Sequence, residues 1–305
     1  MKTDLVKKLN SFGIIVMIFS SMALLEDKFF ISDLLVSFKF QYLWIFLILL
    51  MVNLFYKKAL FIALYLVMSL INFISVYPTW SNAQGLKDPN LKIYFANINT
   101  ANKKHSLLME SIFRQKPDIV VLQEVNKSWE QKLVALASNY KHQVMLPREH
   151  NFGMAIFSKF EILDQKILQG RAQVESILLK VKFKNRDLNI LATHPVPPIG
   201  LDYWNLRNNQ YKELAEYLNK TQGEKILIGD LNTVPWSFHL KQLSENTGLN
   251  LVHTFRDTWN SVFPVGMRIR PAHAFISKNL EGALKVLDSV GSDHLPMVLG
   301  LKYSK

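Results

Sequence analysis

Several apolar runs end on residues that can do chemistry. ILIGDLN ends on Asp230 and Asn232, NILATHP on His194, and YFANIN on Asn97 and Asn99. VVLQEV places Glu124 just past its run, and GSDHLPMVLGL opens on Asp293 and His294 side by side. Along an extended chain, residues two apart point to the same side, so Asp230 and Asn232 emerge together. Taken singly, each is an ordinary turn or edge residue, and an isolated Asp-x-Asn is more often a cap for the next helix. Together they form a rim of carboxylates, amides and imidazoles without a thiolate. Such a donor set suits a hard divalent cation, Mg²⁺ or Mn²⁺, with zinc open through the histidines.

The elements that must position these residues alternate in type after residue 90. Strands are predicted at 91–97, 119–122, 143–146, 154–157, 174–183, 188–194, 225–228, 274–276 and 297–301. Helices are predicted at 105–115, 128–137, 206–218 and 237–245. This mixture, within residues 91–305, predicts one α+β domain of sheet packed on sheet with helices outside. Neither repeats nor low-complexity tracts interrupt it.

The first 80 residues read differently. Residues 12–25, 43–56 and 59–77 carry no charge, so a membrane anchor of about three helices is expected, the first being the shortest. Lys2, Lys7 and Lys8 precede the first run and Lys57 and Lys58 separate the last two. By the positive-inside rule the amino terminus lies in the cytoplasm of a multi-pass inner-membrane protein and residues after 77 lie outside, in the periplasm. A cleaved signal peptide is the rival reading of residues 1–25, but no convincing small-x-small site precedes Glu26. Residues 81–90 read as a polar linker. There is no cysteine, which excludes disulfides and thiolate metal sites. Most of the formal charge of +12 falls after residue 80. A basic domain of this kind is drawn to anionic headgroups, phosphorylated lipids or nucleic acid.

In order along residues 91–303, FANIN, PDIVVLQE, GMAIFSK, ATHP, LRNNQ, GDLNTVPWS and GSDHLPM resemble the endonuclease/exonuclease/phosphatase superfamily of metal-dependent phosphoesterases. PWS after GDLN, DTW at 257–259 and the leading apolar segments resemble its membrane-anchored bacterial branch, some members of which act on lipid-linked pyrophosphates. The resemblance implies a four-layer α/β/β/α sandwich of two mixed sheets. It also implies that Asn97 and Glu124 hold the metal with Asp293 nearby, and that Asp230 orients or deprotonates the attacking water. Asn232 would position that water and touch the phosphate, and His194 and His294 would bind phosphate oxygens. The expected substrate is a phosphodiester, phosphomonoester or lipid-linked pyrophosphate.

The chain departs from that pattern at one place. The family usually reads Arg-x-x-x-Asp-His-x-x-x-Ser before its last strands, whereas here RIRPAHAFIS puts Ala272 at the aspartate and keeps His273. In relatives that aspartate orients the histidine corresponding to His294. The alternatives are therefore a weakened enzyme, an enzyme whose His294 is held by another group, and a phosphate- or lipid-binding module without turnover. A nuclease is a further alternative. Arg207, on a polar helix, is expected to be a surface residue.

Overall fold

A computed structural model describes residues 2–81, 83 and 85–303. The chain forms two compact units, one built on Met1–Ser81 with Trp236–His239 and the other on Asn82–Pro235 with Leu240–Lys305. Within the predicted linker, Asn82 and Gln84 lie outside the described residues, as do Ser304 and Lys305 at the end of the predicted domain.

The first unit is helical: α1 (Lys2–Met22), α2 (Phe30–Val36), α3 (Lys39–Phe55) and α4 (Ala59–Ser81). Val16, Tyr42, Phe46, Leu49, Tyr65 and Met68 pack its interior. Two polar clamps cross between its helices. Asn10 and Asn53 exchange side-chain amide hydrogen bonds of 3.0 and 2.9 Å, and Asn72 donates to Ser20 Oγ at 2.9 Å. Bonds of this kind between apolar helices contribute about 1 kcal/mol each. Facing outward are Ile48, Met51, Phe55, Leu60 and Ile74, all exposed. The helices are thus apolar on both inner and outer faces, unlike those of a water-soluble bundle.

Asp4–Leu25 and Ala59–Ser81 are each long and apolar enough to cross a bilayer. The segment expected to make the middle span is not a single straight helix. α3 has 17 residues, about 25 Å, short of a hydrocarbon core of about 30 Å. It reaches spanning length only together with α2, from which it is bent by 63°. At the bend the Ser37 N–H turns back onto Leu34 and Leu35 carbonyls, and Lys39 is buried 3.9 Å from Glu26. A backbone break and a buried cation mark the place where the straight helix ends.

The second unit contains two six-stranded mixed sheets. In the first the order is β11 (Leu280–Val286), β12 (Met297–Tyr303), β1 (Leu91–Asn97), β2 (Ile119–Gln123), β4 (Met154–Ser158), β3 (His142–Leu146). In the second it is β5 (Ile162–Gln169), β6 (Glu175–Phe183), β7 (Arg186–Ala192), β8 (Glu224–Asp230), β10 (Ala272–Ile276), β9 (Asn250–Leu251). Their central strands are apolar on both sides, and residue parity decides which layer each side chain enters. Leu91, Ile93 and Phe95 of β1, Ile119 and Val121 of β2, and Ile226 and Ile228 of β8 fill the space between the sheets. Tyr94, Ala96, Val120 and Leu122 turn the other way, onto α5 (His105–Gln115) and α6 (Lys127–Leu133). Leu191, Leu227 and Phe275 do the same against α7 (Leu201–Lys220) and α8 (Phe238–Thr247). The result is the expected four-layer α/β/β/α sandwich. Each fully buried Leu, Ile or Phe in its core contributes about 1.5–3 kcal/mol of transfer free energy.

Parity also carries the rim residues to one place. Asn97 continues the inward-facing series of β1, and Asp230 that of β8, so both point into the seam between the sheets where the apolar filling stops.

Candidate active site

Three backbone features build the rim. Asn99, Glu124 and Asn232 have φ of 60°, 62° and 51°, a left-handed conformation uncommon for residues with side chains. Each follows the end of a strand and turns a polar side chain back toward the seam. Gly229 lets the second sheet approach closely: a Cβ there would lie 2.0 Å from the Thr193 carbonyl oxygen and 2.5 Å from Gln123 Nε2. At Gly153 a Cβ would lie 1.9 Å from the Val125 carbonyl oxygen, so only glycine lets β4 support the turn that presents Glu124. Gln123 ties the sheets together, donating to the Thr193 carbonyl and accepting from the Asp230 N–H at 3.1 Å.

Asp230 is the hub, and it is almost wholly buried. Its Oδ2 accepts from Asn97 Nδ2 at 3.2 Å and lies 3.5 Å from His294 Nδ1 and 3.8 Å from His194 Nε2. Its Oδ1 accepts the Asn232 N–H at 3.0 Å. Burial alone would push this carboxyl up, but His294 and His194, the Asn232 N–H and Asn97 outweigh it and hold Asp230 below the ordinary carboxylate range. Burial and the neighbouring His294 keep His194 below the usual imidazole value despite the pull of Asp230. The Phe152 ring covers His194 at 5.3 Å between centroids.

Glu124 is joined to this hub through Asn97, whose Nδ2 also donates to Glu124 Oε1 at 2.7 Å. The Thr100 N–H donates to its other oxygen at 3.3 Å. Burial, with added repulsion from Asp230 and Asp293, raises Glu124 to about 7 despite the Asn97 hydrogen bond. Asp293 lies on the far side of Asn97: it accepts from Asn99 Nδ2 at 2.8 Å and from Trp259 Nε1 at 3.0 Å. Ser292 pins that corner, donating to the Asn97 carbonyl at 2.9 Å and accepting the His294 N–H at 3.1 Å. The eight residues singled out in the sequence therefore meet in one chain of contacts, with Asn97 and Asp230 at its middle. Among the described residues, no three His, Asp or Glu side chains form a ready cage for a metal. The donors around Glu124 are instead amides and backbone groups. A carboxyl raised mainly by burial, with two like charges beside it, fits a divalent cation, because the cation would take the place of the proton.

Three supporting residues escape sequence reasoning. Gln123 lies one residue past the predicted strand at 119–122, Trp259 lies 35 positions from His294 in sequence, and Ser292 carries no signal beyond that of a turn residue. Arg207 is corrected outright: it is fully buried, donating from Nη1 to the Asn232 carbonyl at 3.1 Å and from Nη2 to Asn208 Oδ1 at 2.7 Å. Its guanidinium lies 5.5 Å from the Tyr211 ring centroid. The arginine braces the turn carrying Asn232, which helix periodicity alone cannot reveal.

Beside Ala272, the buried His273 donates from Nε2 to the Thr233 carbonyl at 2.8 Å. Burial, helped by the positive charge of Arg270, pushes it down to about 3, and the same two causes take His253 to about 4. Both stay neutral in the fold, whereas an unfolded histidine titrates near 6.5. As pH falls below 6.5 the unfolded chain takes up these protons first, so stability declines until the folded values are reached. Asp257, raised by burial to about 6, and Glu124, raised mainly by burial to about 7, work in the opposite sense as pH falls through those values toward the ordinary carboxylate range. From pH 7.5 to 4.5 the melting temperature of the detergent-solubilised full chain is expected to fall relative to that of its His273→Gln variant. His273 alone accounts for about 2–3 kcal/mol of that difference by pH 4.5.

Set beside known proteins, this fold and rim define a class. Residues 81–294 match the model of the Endonuclease/Exonuclease/phosphatase family, and the chain belongs to that family. No curated protein matches it by sequence. Among solved structures it is similar to the human Nocturnin catalytic domain with a bound sulfate anion, at 21% identity and a TM-score of 0.60, covering 74% of this chain and 99% of that one. It is also similar to D. rerio TDP2 complexed with a single-strand DNA product, at 18% identity and a TM-score of 0.59, covering 70% and 98%. A mutant Staphylococcus aureus beta toxin with bound magnesium ions gives 18% identity and a TM-score of 0.58, covering 70% and 99%. At these identities the structural likeness establishes the fold.

Proposed function

We propose that the chain is a membrane-anchored phosphoesterase that uses Mg²⁺ or Mn²⁺ to hydrolyse a phosphoester outside the cytoplasm, with a lipid-linked phosphate or pyrophosphate as the favoured substrate class. The observation that carries this reading is the convergence of Asp230, His194, His294, Asn97 and Glu124 at one buried seam, in a family of phosphoester hydrolases. The outward-facing apolar side chains of residues 1–81 support the anchor.

A phosphoester repels an incoming hydroxide, so the site needs positive charge at the non-bridging oxygens, an acceptor for the water's proton and donors for the developing charge. Glu124 and the Asn97 amide would hold the cation, with Asp293 nearby. When bound, that cation neutralises phosphate charge and acidifies water. Asp230, kept ionised by its neighbours, accepts a hydrogen bond from the attacking water and orients it. Asn232, whose side chain donates to the Pro195 carbonyl at 2.8 Å, stands beside that carboxylate and marks the water's approach. His194 and His294 donate to phosphate oxygens from either side.

A second reading rests on Ala272. Among the described residues, buried His294 Nδ1 has no hydrogen-bond partner, and its 3.5 Å approach to Asp230 exceeds ordinary hydrogen-bond length. A site with so loosely held an imidazole also suits a binding module that grips phosphate without cutting it. One experiment separates the two: the full chain in detergent, with Mg²⁺, Mn²⁺ or chelator, against lipid pyrophosphate, phosphodiester, sugar phosphate and single-stranded DNA. Hydrolysis lost at least 100-fold on chelation supports the enzyme. Metal-dependent binding without hydrolysis of any member establishes the module instead, and cleavage of DNA alone establishes a nuclease.

A further inference from the structure

Two loops beside the site expose side chains that a soluble domain would bury. In residues 261–267, Val262 is 78% exposed, Val265 79% and Met267 60%, with Phe263 also exposed. In the turn that leads into α7, Ile199 at 72% and Leu201 at 55% also stand out. Single exposed apolar residues are ordinary, but two such groups, each tied to residues of one site, are not. Both groups are rooted at the chemistry. Ser261 donates its N–H to the Asp293 carbonyl at 2.7 Å and its hydroxyl to the Ser292 carbonyl at 2.8 Å. For the other group, Asn232 Nδ2 holds the Pro195 carbonyl, four residues before Ile199.

The longer loop is built rather than slack. Val262 N–H donates to Asn260 Oδ1 at 3.1 Å, Met267 N–H to the Pro264 carbonyl at 3.1 Å, and Arg268 Nε and Nη2 to the Phe263 and Ser261 carbonyls at 2.7 and 2.9 Å. Its backbone polar groups are turned inward onto one another and onto Arg268, leaving the apolar side chains displayed outward. Arg256 and Arg268 bracket the segment, and no acid lies between residues 258 and 268.

We infer that the loop at 261–267, with Ile199 and Leu201, inserts at the headgroup–hydrocarbon boundary of a bilayer, so that the cleft meets a phosphate carried on a lipid. A lipid surface fits better than a protein partner for two reasons. The same chain carries helices apolar enough to cross a membrane. The loop also sets acid-free apolar tips near the exposed Arg256, and apolar side chains beside a basic residue are the combination that enters a phosphate-rich interface to a depth of about 5–10 Å. This inference deepens the proposed lipid-phosphoester reading and rests on it.

The absence of cysteine makes single-site labelling clean. Full-length protein carrying Val265→Cys, labelled with an environment-sensitive fluorophore and reconstituted in anionic phospholipid vesicles, is expected to show blue-shifted emission quenched by nitroxides on the acyl chains. The same label at Glu281→Cys, an exposed position in β11, is expected to report water. In the same vesicles, Val262→Ser with Phe263→Ser and Val265→Ser should lower the ratio of turnover on a bilayer-embedded lipid phosphodiester to that on soluble bis(4-nitrophenyl) phosphate at least tenfold. A label at 265 that reads as aqueous as the one at 281, or an unchanged ratio, overturns the inference. Should the unsubstituted chain hydrolyse neither ester while the label at 265 is quenched, the phosphoesterase reading fails and the membrane contact stands.

Discussion

Asp230→Asn is expected to lower kcat about 10³-fold or more on any phosphoester the chain hydrolyses in Mg²⁺. The substitution keeps size and shape, removes the charge and turns one of the two accepting oxygens into a donor. In the native site that charge faces His294 and His194 and takes hydrogen bonds from Asn97 and the Asn232 N–H. With it gone, water loses the acceptor that orients it and the histidines lose the anion between them. Because its neighbours hold Asp230 ionised against the cost of burial, the neutral amide should melt lower than aspartate. Loss of activity at a temperature where the variant is still folded is thus the signature of chemistry, whereas loss only in step with unfolding would mark Asp230 as a structural keystone. Steady-state rates and thermal melts on the same preparation distinguish them.

Ala272→Asp is expected to move activity the other way, raising kcat about tenfold or more. Ala272 lies directly opposite Asp230 in the antiparallel register of β10 and β8, and both belong to the inward-facing series. Side chains paired in this way have Cβ atoms about 4.5–5.5 Å apart. A carboxylate at 272 would therefore enter the site beside His294, whose Nδ1 lacks a partner among the described residues, and would supply a fixed acceptor. The added negative charge is balanced when a cation is bound. Equal turnover with alanine and aspartate, measured at saturating Mg²⁺, would show that His294 is not oriented from that position.

Much of this arrangement is legible in the sequence because the central strands are apolar on both faces and end abruptly on polar residues. LKIYFAN and KILIGD say which layer each side chain enters, and the same parity puts Asn97 and Asp230 in the seam. Strands at sheet edges do not carry that signal. β5 is exposed at most positions, β9 is two residues long, and β11 contains Gly282 and Glu281, so none reads as a strand without its neighbour. Arg207 misleads because its helix is polar overall, while its partner, the Asn232 carbonyl, is 25 residues away. The break between α2 and α3 is equally hidden: hydropathy sums over a window and does not register a backbone turn at Ser37. Gln123 illustrates the limit most clearly, since its link to Thr193 and Asp230 exists only once two sheets are stacked.

The central claim is that side chains far apart in sequence surround one divalent cation at the seam. Crystals of the full chain soaked in Mn²⁺ and phosphate, measured at the manganese absorption edge, test it directly. The account predicts one anomalous peak about 2.0–2.3 Å from a Glu124 carboxylate oxygen, with the phosphate between it and the imidazoles of His194 and His294. An anomalous map with manganese bound only elsewhere, or with Glu124 still hydrogen-bonded to Asn97 and no peak beside it at saturating metal, would contradict it.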